Sequence, residues 1–265
     1  MELTVLYPHT KSKFIAKYLL YQHKIKWIKI GEKIPEAPLL VTAGGDGTIH
    51  YAVNRINLDK TKLLVLPLGR GNAFARIFNL PIGLLSDKDI LTGQELEVQL
   101  LEVNNRLAIL ATGMGMGGEV MHYANPYSQF GFPSYILSTL KSIQTTPAYS
   151  FTINNNLYPD LLTVEISLWG MAGYGLPFTN SSTIGPYLTM IKGNPLMAAF
   201  KFLLGQFPDW EGAKTIKGEA FTLKTEEEIN AHIDGENFLT RYLEVKLSPK
   251  KVNIIKPQVS LFTNS

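Results

Sequence analysis

Apolar and polar positions change their period part-way along this chain of 265 residues. In its first part, short apolar runs alternate with stretches in which apolar residues recur every three or four positions, which predicts strands alternating with helices. The predicted strands are residues 3–6, 26–30, 39–43 and 63–66. One predicted helix covers 14–21, with Phe14, Tyr18 and Tyr21 on one side, and another begins near residue 49. Such alternation is typical of a parallel sheet covered by helices.

Beyond residue 96 the pattern predicts strands with few helices between them. Asn104-Asn105 is a hairpin turn signal between two apolar stretches. Further strands are predicted at residues 151–153, 162–168, 220–223, 229–233 and 242–247. The acidic segment Thr225–Glu228 is predicted as a solvated turn between strands. We therefore predict an α/β domain over residues 1–96 and an antiparallel β-sandwich domain over 97–249.

The amino-acid composition excludes a few classes of protein but does not indicate a function. The chain is 45% hydrophobic and 18% charged, has a formal net charge of +3, and contains no cysteine, which excludes a disulfide framework or a cysteine-based zinc site. We find no signal-peptide pattern, and no apolar run reaches the roughly 18 residues of a membrane-spanning helix, so a cytoplasmic location is expected. Lys and Arg are spread along the chain, so no nucleic-acid partner is expected.

The first candidate site is a glycine loop that follows a predicted apolar strand. Its residues are Gly44, Gly45, Asp46, Gly47 and Thr48. Glycines between a strand and a helix let backbone N–H groups approach a phosphate closely. Asp46 could act through a metal ion or a hydroxyl group, and Thr48 could cap the helix. The alternative is a tight strand-to-helix turn with no ligand. The string GGDGT resembles the nucleotide-phosphate loop shared by diacylglycerol, sphingosine and NAD kinases.

A second glycine loop follows the next strand, within Pro67–Arg76. Its candidate nucleotide-binding residues are Gly69, Arg70, Gly71 and Asn72. Arg70 could pair with phosphate oxygens, and Asn72 could either bind the nucleotide or fix the loop. The alternative is a plain turn stopped by proline.

A third candidate site is Asp234-Gly235-Glu236, late in the chain. An Asp-Gly pair between strands is most often a hairpin turn. Two carboxylates that flank one glycine can also act together, one accepting a proton from an attacking hydroxyl while the other orients it or holds a metal.

Taken in order, these three motifs resemble the bacterial diacylglycerol kinase and lipid kinase family. The resemblance implies an ATP-dependent kinase that transfers the γ-phosphoryl to a lipid hydroxyl, with diacylglycerol as the first candidate. It implies ATP and Mg²⁺ in a cleft between the two domains, and a last segment, 250–265, that returns to the first domain. Asp234 and Glu236 become the implied base site, with Asp234 expected to accept the hydroxyl proton and Glu236 to support it. Asp46 becomes the implied catalytic and metal-binding acid of the nucleotide site, and the division of roles between Asp46 and Asp234 stays open.

The chain departs from the family pattern at several positions. Tyr7 stands where Asn is usual, Lys11 where Gly is usual, and Arg70 where Thr is usual. Ala73 replaces an acid of the expected magnesium network, and two further acids are missing from 184–189, so no metal site is expected there. Two alternatives therefore remain: a kinase for another acceptor (a sphingoid base, a polyol lipid or NAD), or a homologue that binds nucleotide or lipid without turnover.

Two further segments bear on partners. Met114–Gly118 is dense in glycine and is predicted as a flexible bend between strand and helix. Leu196–Phe207 is almost wholly apolar; we favour a helix packed on the sandwich over one that covers a lipid pocket or dips into a membrane. The expected partners are a lipid substrate and, transiently, the inner membrane face. Homodimerisation is left open.

Overall fold

The computed structural model describes residues 1–69, 71–124, 126, 132–171, 176–180 and 183–258. The chain divides into two compact units: residues 1–100 together with 249–265, and residues 101–248. The boundaries fall inside two long strands, one near the middle of the chain and one near its end.

The first unit is a parallel sheet with short helices. Its strands are β1 (Glu2–Tyr7), β2 (Lys24–Lys29), β3 (Leu39–Gly44), β4 (Lys62–Pro67), the start of β5 (Gln94–Val103) and the end of β13 (Glu236–Lys256). Its helices are α1 (Thr10–Leu19), α2 (Asp46–Val53), α3 (Ala73–Ile77) and α4 (Asp87–Leu91). β1 pairs in parallel with β2 and β3, β3 pairs with β4, and β4 pairs with the end of β13.

Strands β3 and β4 are buried along almost their whole length. Both are continuous apolar runs, as expected for parallel strands covered on both faces. Their register aligns Gly44 with Pro67. The two strands therefore end level with each other, and the two glycine loops that follow start at the same edge of the sheet.

The second unit is built mainly from antiparallel strands. Its further strands are β6 (Arg106–Ala108), β7 (Ala111–Gly115), β8 (Tyr149–Ile153), β9 (Asn156–Ser167), β10 (Tyr187–Lys192), β11 (Ala213–Lys217) and β12 (Ala220–Ile233). Its helices are α5 (Met116–Ala124), α6 (Phe132–Thr145), α7 (Pro195–Leu203) and a 3₁₀ turn, Phe207–Asp209. The strand order is β11-β10-β9-β7-β12-β13, with β8 paired to both β9 and β12. This strand-rich unit and the α/β unit before it confirm the predicted fold class.

Two-residue turns connect three of the hairpins. Asn104-Asn105, Asn154-Asn155 and Asp234-Gly235 all have positive φ angles at both residues. A two-residue turn with both φ angles positive matches the right-handed twist of the flanking strands, and Asn, Asp and Gly tolerate that conformation best. The predicted hairpin at Asn104-Asn105 is confirmed by the pairing of β5 with β6.

Two predicted elements are wrong in detail. Residues 220–233 form one strand, β12, rather than two strands joined by a turn at Thr225–Glu228. The pairing of β12 with β13 shifts register between Lys224 and Ile229, so the acidic segment is an irregular, exposed part of a continuous strand. The first helix begins four residues earlier than predicted, and Phe14, Tyr18 and Tyr21 share the side that faces solvent.

Helix α7 reverses the usual arrangement of large and small side chains. Ala198 and Ala199 are buried, whereas Leu196, Met197 and Phe200 are exposed. The predicted helix is therefore present and packed, but it packs through alanines and turns its large apolar side chains outward. None of the helices in the described part of the chain is long and apolar enough to cross a membrane.

Candidate active site

The two glycine loops of the first unit pack directly against each other. A Cβ atom added to Gly69 would lie 2.2 Å from the Cα of Gly45, and one added to Gly44 would lie 2.1 Å from the Oγ1 of Thr48. No side chain fits at such distances. A glycine at position 69 is therefore required for the approach of one loop to the other, and a glycine at position 44 leaves room for Thr48 of its own loop. The loops after β3 and β4 therefore form one joined surface.

Asp46 ties the first loop to the second. Its Oδ2 accepts a hydrogen bond from the backbone N–H of Ala73 at 3.0 Å, and its Oδ1 accepts one from Phe74, also at 3.0 Å. These N–H groups belong to the first turn of α3, where helix amides lack partners within the helix. Asp46 therefore caps α3 from across the sheet edge, a role that the sequence analysis did not assign to it.

Asn72 fixes the second loop from within. Its Oδ1 accepts from the N–H of Gly69 at 3.0 Å, and its Nδ2 donates to the carbonyl groups of Pro67 and Gly69. The backbone of Asn72 is left-handed, with φ 48°. Of the two roles considered for Asn72, the geometry supports fixing the loop. Arg70 lies outside the described residues.

Gly47 is the exposed glycine of the first loop, and an added Cβ there would meet no atom within 4 Å. The second residue of α2 therefore faces open space, where a phosphate oxygen could approach the helix N-terminus. The prediction that Thr48 caps this helix is wrong. The cap position is Gly45, because α2 begins at Asp46, and Thr48 is buried within the helix.

The loops suit a nucleotide phosphate better than they suit a metal ion held by protein alone. In the part of the chain that the structure describes, no three His, Cys, Asp or Glu side chains come together as a metal-binding group. Mg²⁺ is commonly held by one or two carboxylates together with substrate phosphates and water. Asp46 is the carboxylate that could take part, and phosphate oxygens would have to supply most other ligands.

Asp234 occupies the turn between β12 and β13 and anchors a neighbouring segment. With φ 49°, it begins the two-residue turn that joins Ile233 to Glu236. Its carboxylate accepts hydrogen bonds from three backbone N–H groups, at 2.7, 2.8 and 3.1 Å. The donors are Ile109, Leu110 and Ala111. The motif therefore forms a hairpin turn, as one of the two interpretations predicted. Asp234 binds this turn to the backbone at the start of β7.

Glu236 is presented differently from Asp234. Its side chain is 49% exposed, and its Oε2 accepts a hydrogen bond from Nη2 of Arg106 at 2.7 Å. Arg106 begins β6, directly after the Asn104-Asn105 turn, so one hairpin positions the cation beside the other hairpin's acid. Of the two acids in this motif, Glu236 is the more exposed, whereas the Asp234 carboxylate is already bonded to three backbone N–H groups.

Comparison with known proteins relates part of the chain to a known family. Residues 4–103 match the family model of the diacylglycerol kinase catalytic domain. Proteins named "Putative lipid kinase" from Staphylococcus aureus strains MRSA252 and Newman are 24% identical over 246 residues, covering 86% of this chain and 80% of theirs. The resemblance to the diacylglycerol kinase family is therefore confirmed.

Solved structures extend the likeness to the fold of nearly the whole chain. A crystal structure titled as a "putative diacylglycerol kinase" from Bacillus anthracis is 17% identical, with a TM-score of 0.71 over 96% of this chain and 97% of that one. An NAD kinase from Archaeoglobus fulgidus, solved in complex with ATP, is 10% identical, with a TM-score of 0.53 over 97% of this chain and 94% of that one. The diacylglycerol kinase fold is therefore shared, and the NAD kinase fold is a more distant relative.

A buried ion pair of this kinase fold escaped the sequence analysis. Glu165 on β9 accepts from Thr163 Oγ1 at 2.9 Å, and its Oε2 lies 2.9 Å from Nε2 of His232. A Cβ added to Gly113 or Gly117 would lie 2.2 or 1.9 Å from the Glu165 carboxylate. Gly113 and Gly117 therefore make room for a buried acid. The predicted change from strand to helix within residues 114–118 is present, because β7 ends at Gly115 and α5 begins at Met116.

His232 lies two residues before Asp234 on β12. Burial opposes a charge on its ring, but the charge and hydrogen bond of Glu165, with the charge of Asp234, outweigh burial and raise the pKa of His232 above its ordinary value. Two features of the sequence pointed to this pair. Glu165 is a lone acid inside the apolar strand LLTVEISL, and His232 lies two residues before the late acidic motif. The sequence alone does not show that these two residues are partners, because only the fold brings them together.

Proposed function

We propose that this protein is an ATP-dependent lipid kinase, with a diacylglycerol as its phosphoryl acceptor. The observation that carries the proposal is the joined surface of the two glycine loops, locked by Asp46 and Asn72 while Gly47 stays open. Phosphoryl transfer depends mainly on positioning and on stabilising charge, so a rigid cradle of backbone N–H groups is the main requirement on the nucleotide side. When bound, ATP supplies the phosphoryl group, and Mg²⁺ offsets the charge that develops on it.

On the acceptor side, we propose that Glu236 takes the proton of the lipid hydroxyl. Arg106 fixes the orientation of its carboxylate through their hydrogen bond. Asp234 would hold the turn that presents Glu236, because three backbone N–H groups already bond to its oxygens. This division favours Glu236 over Asp234 as the general base and keeps both residues in the implied base site.

The nucleotide half of the proposal is tested at Gly47. Neither Gly47→Ala nor Gly47→Asp has a steric conflict with the protein, and Gly→Ala within a helix raises stability by about 0.5–1 kcal/mol. Both variants should fold with at least wild-type stability. Their ATP affinity, measured by titration calorimetry, should fall about tenfold or more, the Asp variant most, because its carboxylate repels phosphate. Wild-type affinity in both variants would exclude this loop as the phosphate site.

The acceptor half is tested by phosphoryl transfer from labelled ATP to diacylglycerol in mixed micelles. Glu236→Gln keeps size and hydrogen bonding but cannot take a proton, and should lower kcat by about 10²–10⁴-fold with ATP binding unchanged. Asp234→Asn should act mainly on stability. Full turnover in Glu236→Gln together with loss in a stably folded Asp234→Asn would return the base role to Asp234.

The acceptor panel separates the remaining candidates. NAD is included because the fold resembles an NAD kinase, although with a lower TM-score than the diacylglycerol kinase structure. A sphingoid base and a polyol lipid complete the panel. Label in diacylglycerol supports the proposal, and label in another acceptor replaces diacylglycerol with that compound. ATP binding without transfer to any of them would favour a homologue that binds without turnover.

A further inference from the structure

The buried pair of Glu165 and His232 is poorly explained as a source of stability. Only 7% of the Glu165 side chain and 9% of the His232 side chain are exposed. Taking two charged groups out of water carries a large penalty, and well-packed apolar residues in their place are often as stable or more so. Stability alone is therefore a weak reason for the pair, and its position in the second unit indicates another role.

The backbone around Glu165 leaves room for its carboxylate. Gly113 of β7 lies between the two partners in the sheet, since it pairs with Glu165 on one side and with His232 on the other. A Cβ added to Gly113 would lie 2.2 Å from Oε2 of Glu165, and one added to Gly117 would lie 1.9 Å from Oε1. Glycine weakens a strand because it loses more conformational freedom and packs no side chain. Two positions thus lack a side chain where the carboxylate reaches across β7.

The ring of His232 is held from one side. Its Nε2 lies 2.9 Å from Oε2 of Glu165. Its Nδ1 is buried and has no hydrogen-bond partner within the described ranges of the chain. The backbone carbonyl of His232 accepts a hydrogen bond from Oγ1 of Thr112 at 2.6 Å. The orientation of the ring therefore depends on Glu165, whereas the strand itself is also tied to β7.

Strand β12 connects this pair directly to the acidic turn. In the hairpin of β12 and β13, His232 lies opposite Asn237, and the next pair is Ile233 with Glu236. His232 is thus one register position away from the pair that presents Glu236. A displacement of His232 along or across the sheet would move the end of the hairpin.

Helix α5 provides a second connection, which begins at the carboxylate. The N–H of Gly117, in the first turn of α5, donates to Oγ1 of Thr163 at 3.2 Å, and this Oγ1 lies 2.9 Å from Oε1 of Glu165. Negative charge near the first turn of a helix is favourable. A Cβ added to Gly118 would lie 2.3 Å from the carbonyl oxygen of Asn230, so the helix backbone also touches β12.

The later part of α5 lies against the acidic turn. Sδ of Met121 would be 3.7 Å from a Cβ added to Gly235, which is ordinary contact distance. Nδ1 of His122 lies 3.3 Å from Nδ2 of Asn237, the residue after the turn's second acid. The helix whose first turn meets Glu165 therefore also contacts the turn between β12 and β13.

We propose that Glu165 and His232 are positioning residues for the acceptor side of the reaction. The pair sets the path of β12 and the placement of α5, and both elements lead to the turn that presents Glu236. Glu165 and His232 are buried, so they act through this turn and not on the substrate itself. The inference rests on the proposed function, in which Glu236 takes the proton of the lipid hydroxyl.

The first test is the kinetics of phosphoryl transfer from labelled ATP to diacylglycerol in mixed micelles. Glu165→Gln keeps the shape of the side chain but removes its charge, and should lower kcat about tenfold to a hundredfold, because a small displacement of a reacting group costs that much. KM for ATP and ATP affinity should stay within about twofold of wild type, because the pair lies outside the first unit. Glu228→Gln, the same change at an exposed acid of β12, should leave kcat unchanged.

Conservative replacement of His232 separates positioning from bulk packing. Nε2 of a glutamine can stand where Nε2 of histidine donates to Glu165, so His232→Gln should keep more of kcat than His232→Leu does. Because the two residues act as a unit, a Glu165→Gln/His232→Leu double variant should lose no more than about twofold beyond His232→Leu alone. Additive losses would overturn the pair as one positioning unit.

The second test measures the turn itself and needs no activity. Hydrogen exchange of the backbone amides in residues 109–111 and 232–237 should quicken about tenfold or more in Glu165→Ala and His232→Leu. Peptides from β1 and β3 are the internal control and should exchange as in the wild type. Should either variant fail to fold, Glu165→Gln and His232→Gln take its place with a smaller effect.

The results distinguish this inference from the proposed function. Wild-type kcat in stably folded Glu165→Ala, or wild-type exchange at the turn in both pair variants, would overturn positioning and leave the kinase proposal standing. ATP affinity that falls in parallel with kcat would also overturn it, because the effect would then not be confined to the acceptor side. Faster exchange at the turn, in a protein that transfers phosphoryl to no acceptor, would support the hold of the pair on the turn and remove the proposed activity.

Discussion

At the scale of single residues, the acids of the candidate site have structural roles that their motifs do not predict. Asp46 was predicted as a catalytic and metal-binding acid, and it also caps α3 through two backbone N–H groups. Asp234 was predicted in the base site, and its carboxylate holds a turn in place by accepting hydrogen bonds from three backbone N–H groups. A loss of activity on replacing either residue therefore identifies a catalytic role only if the protein's stability is measured as well.

For Asp46, the structural role predicts a specific loss of stability. Asp46→Ala removes the acceptors of the Ala73 and Phe74 N–H groups and should lower the free energy of unfolding by about 1–2 kcal/mol. Asp59→Ala changes an exposed acid of the same unit and should stay within about 0.5 kcal/mol of wild type. Urea denaturation without nucleotide measures both. Equal stability of the two variants would show that the cap of α3 is dispensable.

The buried pair of Glu165 and His232 predicts a dependence of stability on pH. The pKa of His232 is raised in the folded protein, so the folded state binds the proton more tightly than the unfolded state does. The resulting stabilisation is fully present below the unfolded pKa of histidine, about 6.5. It is lost as the pH rises from there through the folded pKa.

Thermal unfolding across this pH range checks the prediction. His232→Gln should remove this part of the decline in stability, and should lower stability at acidic pH because Glu165 loses its charged partner. His122→Gln, at an exposed histidine of α5, should keep the wild-type profile. If the His232→Gln variant retains the full decline, another group is responsible.

At the scale of elements, the sequence predicted strands better than it predicted which side of a helix faces the core. Strands β1, β3 and β4 lie within one or two residues of their predicted bounds, because a buried parallel strand is a short apolar run that ends at glycine or proline. Helix α1 and helix α7 both turn large apolar residues outward. Periodicity shows that such residues share a side, but not whether that side meets the sheet or the solvent.

Contacts between distant segments could not be predicted at all. Glu165 and His232 are 67 residues apart in the sequence, and Ala73 is 27 residues from the carboxylate that caps its helix. The motifs indicated where the loops and the acidic turn would lie. Pairings such as Arg106 with Glu236 depend on strand register, which could not be predicted from the sequence.

Helix α7 buries alanines and exposes large apolar side chains. Substitutions on its two faces should therefore affect stability in the opposite way from those in an ordinary amphipathic helix. Ala198 is fully buried in a cluster with Phe178 and Phe207, so Ala198→Leu should overpack it and destabilise the protein by about 1–3 kcal/mol. Phe200→Ser removes an exposed ring and should change stability by about 0.5 kcal/mol or less. Urea denaturation of both variants is the measurement. A larger loss for Phe200→Ser would show that the outward face is packed.

At the scale of the whole molecule, the last segment of the chain belongs to the first unit. Residues 249–265 belong with residues 1–100, and the end of β13 adds a parallel strand beside β4 through Ile254 and Ile255. The two glycine loops therefore rest on a sheet whose final strand follows the whole of the second unit in the sequence. Parallel pairing over so long a separation is slow to form, because loop closure must precede the contacts that favour it.

This order predicts that a change near the end of the chain weakens the first unit. Ile254 is fully buried, so Ile254→Ala should lower stability by about 2–5 kcal/mol. Hydrogen exchange should quicken first in β3 and β4, although they precede Ile254 by almost the whole chain. Leu239→Ala, at an exposed position of the same strand, should leave that exchange unchanged. Faster exchange confined to β9 and β12 would instead mean that the end of β13 supports the second unit, and that the two glycine loops do not depend on it.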